Sequence, residues 1–216
     1  MSWFTSTLAS SIGKKTLMAV IGIFLGFFII VHLLGNATAL ASRALFLAYA
    51  RHLHAFGPLL AIMELLLLAA FVCHVALALL LYMENRQGRP TRYAVTASAG
   101  GRTLASRTMP YTGLAILLFL GVHLVQFQSG DSGISVADVV RSTLQQPGSA
   151  FFYLTGILCL ALHVSHGFWS LCQSLGLDHP KYSPCLQRLA LVLSACIGLT
   201  FSLIPLYALL SADFLR

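Results

Sequence analysis

Five stretches of the chain, at about 16–40, 58–83, 108–127, 150–173 and 189–211, are long, apolar and almost free of charge. About 20 such residues are needed to cross the hydrocarbon core of a bilayer. No water is available there to satisfy free backbone groups, so only helices or closed barrels can cross, and these runs lack the alternation of barrel strands. The pattern predicts an all-α integral membrane protein, one domain over residues 1–216 with five transmembrane helices. Composition excludes the other broad classes. The 216 residues are 58% hydrophobic and only 9% charged, against about 25% charged in an average soluble domain. No low-complexity tract or repeat points to a disordered, fibrous or solenoid chain.

The net charge of +7 does not imply nucleic-acid binding, because the basic residues fall in short segments between apolar runs, where they set orientation. With the N-terminus inside, nine lie on the inner side: Lys14, Lys15, Arg86, Arg89, Arg92, Arg102, Arg107, Lys181 and Arg188. The other four, Arg43, Arg51, Arg141 and Arg216, lie outside. The positive-inside rule therefore predicts a multi-pass protein of the cytoplasmic membrane with a cytoplasmic N-terminus and an external C-terminus. Lys14-Lys15 ahead of an apolar run and Ala37-Thr38-Ala39 have the look of a signal peptide, but the run exceeds the 7–15 residues of a signal core. The first span is read as a retained helix.

Four of the eight histidines lie deep in four different spans: His32, His74, His123 and His163, with His166 one turn beyond the last. A single intramembrane histidine can serve a helix contact, but four form a pattern of depth. At 1.5 Å per residue His32 and His123 lie about 24 and 22 Å from the inner end of their spans, near the outer face. Spans two and four run the other way, so His74 and His163, about 24 and 20 Å from the outer end, lie near the inner face. Two pairs at two depths, drawn from alternate helices, suit two bis-imidazole haems stacked across the membrane. His163 and His166 share a helix face, and spacing alone does not choose between them.

Structural zinc would gather four ligands at one point, often with cysteine, which a two-by-two arrangement disfavours. The five cysteines form no C-x-x-C or C-x-x-C-H, arguing against covalent haem attachment or an iron–sulfur cluster in this chain; they read as small apolar fillers. Gly22-x-x-x-Gly26, Gly113, Gly121 and Gly156 give either close helix packing or room for a flat macrocycle.

Further residues form an ordered set. They are Ser11-Ile12-Gly13-Lys14-Lys15, Met18-Ala19, His32-Leu33-Leu34-Gly35-Asn36, Glu64, Phe71-x-x-His74, Ser106-Arg107-Thr108-Met109, Gly113 and His123. Leu162-His163-x-x-His166-Gly167-x-x-Ser170, Gln173-x-Leu175-Gly176 and His179-Pro180-Lys181-Tyr182 follow. In order and spacing, over nearly its whole length, the chain resembles the cytochrome b membrane subunit of succinate:quinone oxidoreductases. The type is the single-chain, five-helix, two-haem form found in succinate dehydrogenases and menaquinol:fumarate reductases. The resemblance implies a four-helix di-haem bundle core with two haem b groups, the distal one on His32 and His123 and the proximal one on His74 and His163. It selects His163 in span four and leaves His166 at the inner haem edge, bonded to a propionate or a neighbouring helix. Some fumarate reductases of this type carry a glutamate, assigned to compensatory proton transfer, two residues before the fourth-helix ligand; here that position is Ala161.

The resemblance also implies that dicarboxylate chemistry belongs to a flavoprotein subunit and an iron–sulfur subunit docked on the cytoplasmic face. Segments 86–107 and 174–188 would meet them, and a dimer of heterotrimers is an assembly it allows. Lys14, Ser106 and Arg107 are candidates for the inner propionates or for positive-inside anchoring. Glu64, an intramembrane carboxylate in the outer half, with His52 and His54 just before its span, is the candidate site for menaquinol, whose oxidation releases two protons; Glu64 serves otherwise as a helix contact. Two other classes fit less of the pattern: a stand-alone transmembrane cytochrome b of the ascorbate-dependent kind, and a non-redox transporter whose histidines relay protons.

Overall fold

The computed structural model describes residues 2–88, 103–127 and 133–216. Its elements are α1 (Trp3–Ala9), α2 (Ser11–Ala37) continued by a 3-10 turn (Thr38–Leu40), α3 (Arg43–His54), α4 (Pro58–Gln87), α5 (Leu104–Phe127), α6 (Val136–Leu144), α7 (Pro147–Ser174) and α8 (Ser183–Leu210). No strand occurs among the described residues. Helices α2, α4, α5, α7 and α8 are long and apolar enough to span a membrane.

Each span runs past the apolar core expected of it, because capping chemistry rather than hydropathy sets where a helix stops. The first begins at Ser11, where the Ser10 hydroxyl accepts from the Gly13 amide at 3.0 Å and satisfies one of the four orphan donors of the first turn. Pro58 and Pro147 open α4 and α7, where proline's missing N–H costs nothing. Gly57 precedes Pro58 at φ +53°, the left-handed region glycine enters without a Cβ penalty.

Helices α1, α3 and α6 were not expected from apolar runs, since each is too short to cross. Ser42 and Ser135 cap α3 and α6 by accepting from the amides of Leu45 and Asp138. These two helices and the segment after α8 close one end of the bundle. Phe46, Val140, Leu144, Ile204, Phe214 and Leu215 are buried together there. Phe214 is fully buried, which stabilises the closure by about 1.5–3 kcal/mol. Arg43 spans the same end, donating to Asp138 Oδ1 at 2.6 Å, to Oδ2 at 2.9 Å and to the Leu215 carbonyl at 2.8 Å. At the opposite end Lys14 at the start of α2 pairs with Glu84 at the end of α4.

The spans pack in sequence around an interior. Helix α4 lies on α2, α2 on α7, and α7 on α5, with α8 seated against α2 and α7. Among the described residues α2 and α5 are not packed neighbours, and neither are α4 and α7.

Candidate functional site

The four deep histidines meet across that interior in two pairs. His32 on α2 faces His123 on α5 with ring centres 5.9 Å apart and planes at 87°. His74 on α4 faces His163 on α7 with ring centres 6.3 Å apart and planes at 64°. Each pair therefore joins two helices that do not otherwise pack on each other. A metal ion bound by one nitrogen of each ring at about 2.1 Å would hold the ring centres at most about 6.5 Å apart, so each pair is close enough for its two rings to share one metal ion. Among the described residues no three His, Cys, Asp or Glu side chains converge on one point. All five cysteines are free.

The surroundings leave room and unspent donors. A Cβ added at Gly22, Gly26 or Gly121 meets nothing within 4 Å, and one at Gly113 meets only the His163 ring, at 3.5 Å for its nearest atom. Among the described residues no helix packs against the Gly22-x-x-x-Gly26 face. Gly156 differs, because a Cβ there would run into the Phe119 ring. The buried His74 Nδ1 has no hydrogen-bond partner, an exception among buried polar atoms. Two facing imidazoles, an orphaned nitrogen and open glycine faces fit a flat metal-centred macrocycle such as haem b.

Two partners escaped the sequence reading. The Thr112 hydroxyl, on α5, lies 3.4 Å from His163 Nδ1 and hydrogen-bonds the carbonyls of Thr108 and Met109. The Tyr153 hydroxyl, on α7, lies 3.4 Å from His123 Nδ1 and donates to Gln126 Oε1 at 2.7 Å. The signal was present: Tyr153 and His123 lie about 9 and 6 Å from the same end of the bundle.

The remaining candidates are spread more widely. His166 is half-buried one turn from His163, and the ring that faces His74 is that of His163. Lys14, read as a propionate or anchoring candidate, is engaged by Glu84. Ser106 turns its hydroxyl to the Thr103 carbonyl at 2.8 Å, a first-turn role, and Arg107 is exposed. Glu64 is exposed on α4. His52 and His54 each donate from Nδ1 to a carbonyl of their own helix, Ala48 and Ala50, at 2.7 and 2.8 Å. Among the described residues no hydrogen bond joins them to Glu64, so the three do not form one bonded acid/base cluster. Ala161 sits where α7 meets α8: a Cβ at Gly198 would lie 3.0 Å from that of Ala161. Residues 89–102 of the basic segment 86–107 lie outside the described residues, whereas 176–182 are exposed.

Comparison of the chain with protein-family models, with curated proteins and with solved structures finds no match.

Proposed function

We propose that this chain is the di-haem b membrane subunit of a succinate:quinone oxidoreductase, linking a membrane quinone to flavin and iron–sulfur subunits on the cytoplasmic face. The observation that carries the reading is the pairing of four histidines of the membrane-spanning helices, two by two, between helices that are not otherwise packed on each other. When bound, two haems supply one-electron transfer across the thickness of the bilayer. The chain's own task is positional. His32 and His123 would hold one haem near the end capped by α3 and α6, His74 and His163 would hold the other toward the opposite end, and Gly22, Gly26, Gly113 and Gly121 would leave its flanks clear. Glu64 is exposed on α4, and in this reading it is where the quinol binds. Its carboxylate accepts a proton as the quinol is oxidised. The exposed 176–182 segment offers partner subunits a surface beside the end of α7.

A reduced-minus-oxidised spectrum of the purified chain, with a haem count, tests this directly. Two b-type haems per chain are expected; a colourless chain would leave proton relay as the role of the histidines. Alanine at His32, His74, His123 or His163 should each remove one haem, whereas His166→Ala should retain both. Glu64→Gln should slow menaquinol oxidation at unchanged haem content.

A further inference from the structure

One hydrogen-bond chain near the capped end goes beyond ligand identity. We infer that Tyr153 is the positioning residue that fixes which nitrogen His123 presents to the interior, an inference that rests on the haem reading above. A phenol carries one hydrogen. At 2.7 Å from Gln126 Oε1, an acceptor only, that hydrogen is committed to the glutamine. Toward His123 Nδ1, 3.4 Å away, the phenol oxygen can then only accept. A neutral imidazole has one N–H, and placing it on Nε2 would set the Nδ1 lone pair against an oxygen lone pair with no hydrogen between them. The arrangement selects the tautomer with Nδ1–H donating to Tyr153, which leaves the lone pair on Nε2 for a metal. Donation of the second ring nitrogen's hydrogen is also what raises the basicity of a ligating imidazole.

The clamp around the pair supports a positioning role. Tyr153 is 7% exposed and is held edge-on by Phe119, Phe127 and Phe152, with ring centres 5.3, 6.1 and 6.0 Å away. Phe119 also stacks on His123 at 5.7 Å. It is admitted by Gly156, one turn after Tyr153 on the same helix, where any side chain would collide with it. Helix α7 thus presents a hydroxyl and a notch at the spacing that fixes the tilt and the tautomer of one imidazole on α5.

Potentiometric titration of the haem absorbance in the purified full-length chain tests this. The haem lost in His123→Ala is the one concerned. Tyr153→Phe keeps the ring and deletes the acceptor, so that haem should rise in midpoint potential, or be lost alone, while the other is unchanged. Gln126→Leu removes the acceptor of the phenol hydrogen, which weakens the phenol oxygen as an acceptor for Nδ1–H, and should move the same haem in the same direction. Because both changes act through one oxygen, the double variant should match Tyr153→Phe rather than sum the two. Unmoved potentials, equal effects on both haems, or additive shifts would overturn the assignment. Absence of haem from the unaltered chain would instead remove the reading beneath it.

Discussion

Asp138 accepts two hydrogen bonds from the Arg43 guanidinium, at 2.6 and 2.9 Å, and one from the Ser135 hydroxyl at 2.7 Å. Arg43 and then Ser135 hold its carboxyl well below the ordinary carboxylate range, although 45% of its side chain is exposed. A depressed carboxylate contributes stability that is complete above its unfolded pKa, about 3.9, and lost only as pH falls through the lower folded value. Asp138→Asn should therefore lower the Tm in detergent by the same amount at pH 5 and pH 8, with the gap narrowing below about pH 4. A gap that closed by pH 6 would show that a histidine, and not this pair, governs the cap. The same residues mark a limit of sequence reading. Arg43 was assigned a side of the membrane by counting charge, but its partners are 95 and 172 residues away. No local pattern announces a contact at that separation.

At the scale of helices, the glycines separate into two kinds that look alike in sequence. Gly156 receives the Phe119 ring, whereas Gly22 and Gly26 face open space. Gly156→Ala should cost about 1–3 kcal/mol of stability, the usual penalty for overpacking. Gly22→Ala and Gly26→Ala should leave the thermal unfolding of the haem-free chain unchanged and, if a macrocycle lies along that face, reduce haem content. Legibility followed the same division. The five spans and the depth of each histidine were readable because length and rise are fixed by the bilayer and the α-helix. The helical caps were not, because α3 and α6 carry no apolar run long enough to cross a bilayer. Their starts were nonetheless written in Ser42 and Ser135, residues that favour the N-cap position.

For the whole molecule, the two ends differ in how their charge is spent. At the capped end Arg43 is bonded to Asp138, Arg141 to the Ala212 carbonyl at 2.8 Å, and Arg216 to Asp213 at 3.4 Å. The nine-to-four division of basic residues in the sequence is the ground for proposing that the capped end lies outside. A phosphatase fused after Arg216 should be active outside the cell, and one placed between α4 and α5 should be inactive; the reverse pattern would invert the proposed orientation.

The closure over the capped end also dictates an order of events. Arg43 is synthesised early but cannot reach the Leu215 carbonyl until α8 has been threaded. Such long loops must be closed before their contacts return any free energy. Asp138 on α6 is made before α8 and takes up the Arg43 guanidinium first, so completion of the last span adds the closing bond to a corner already paired.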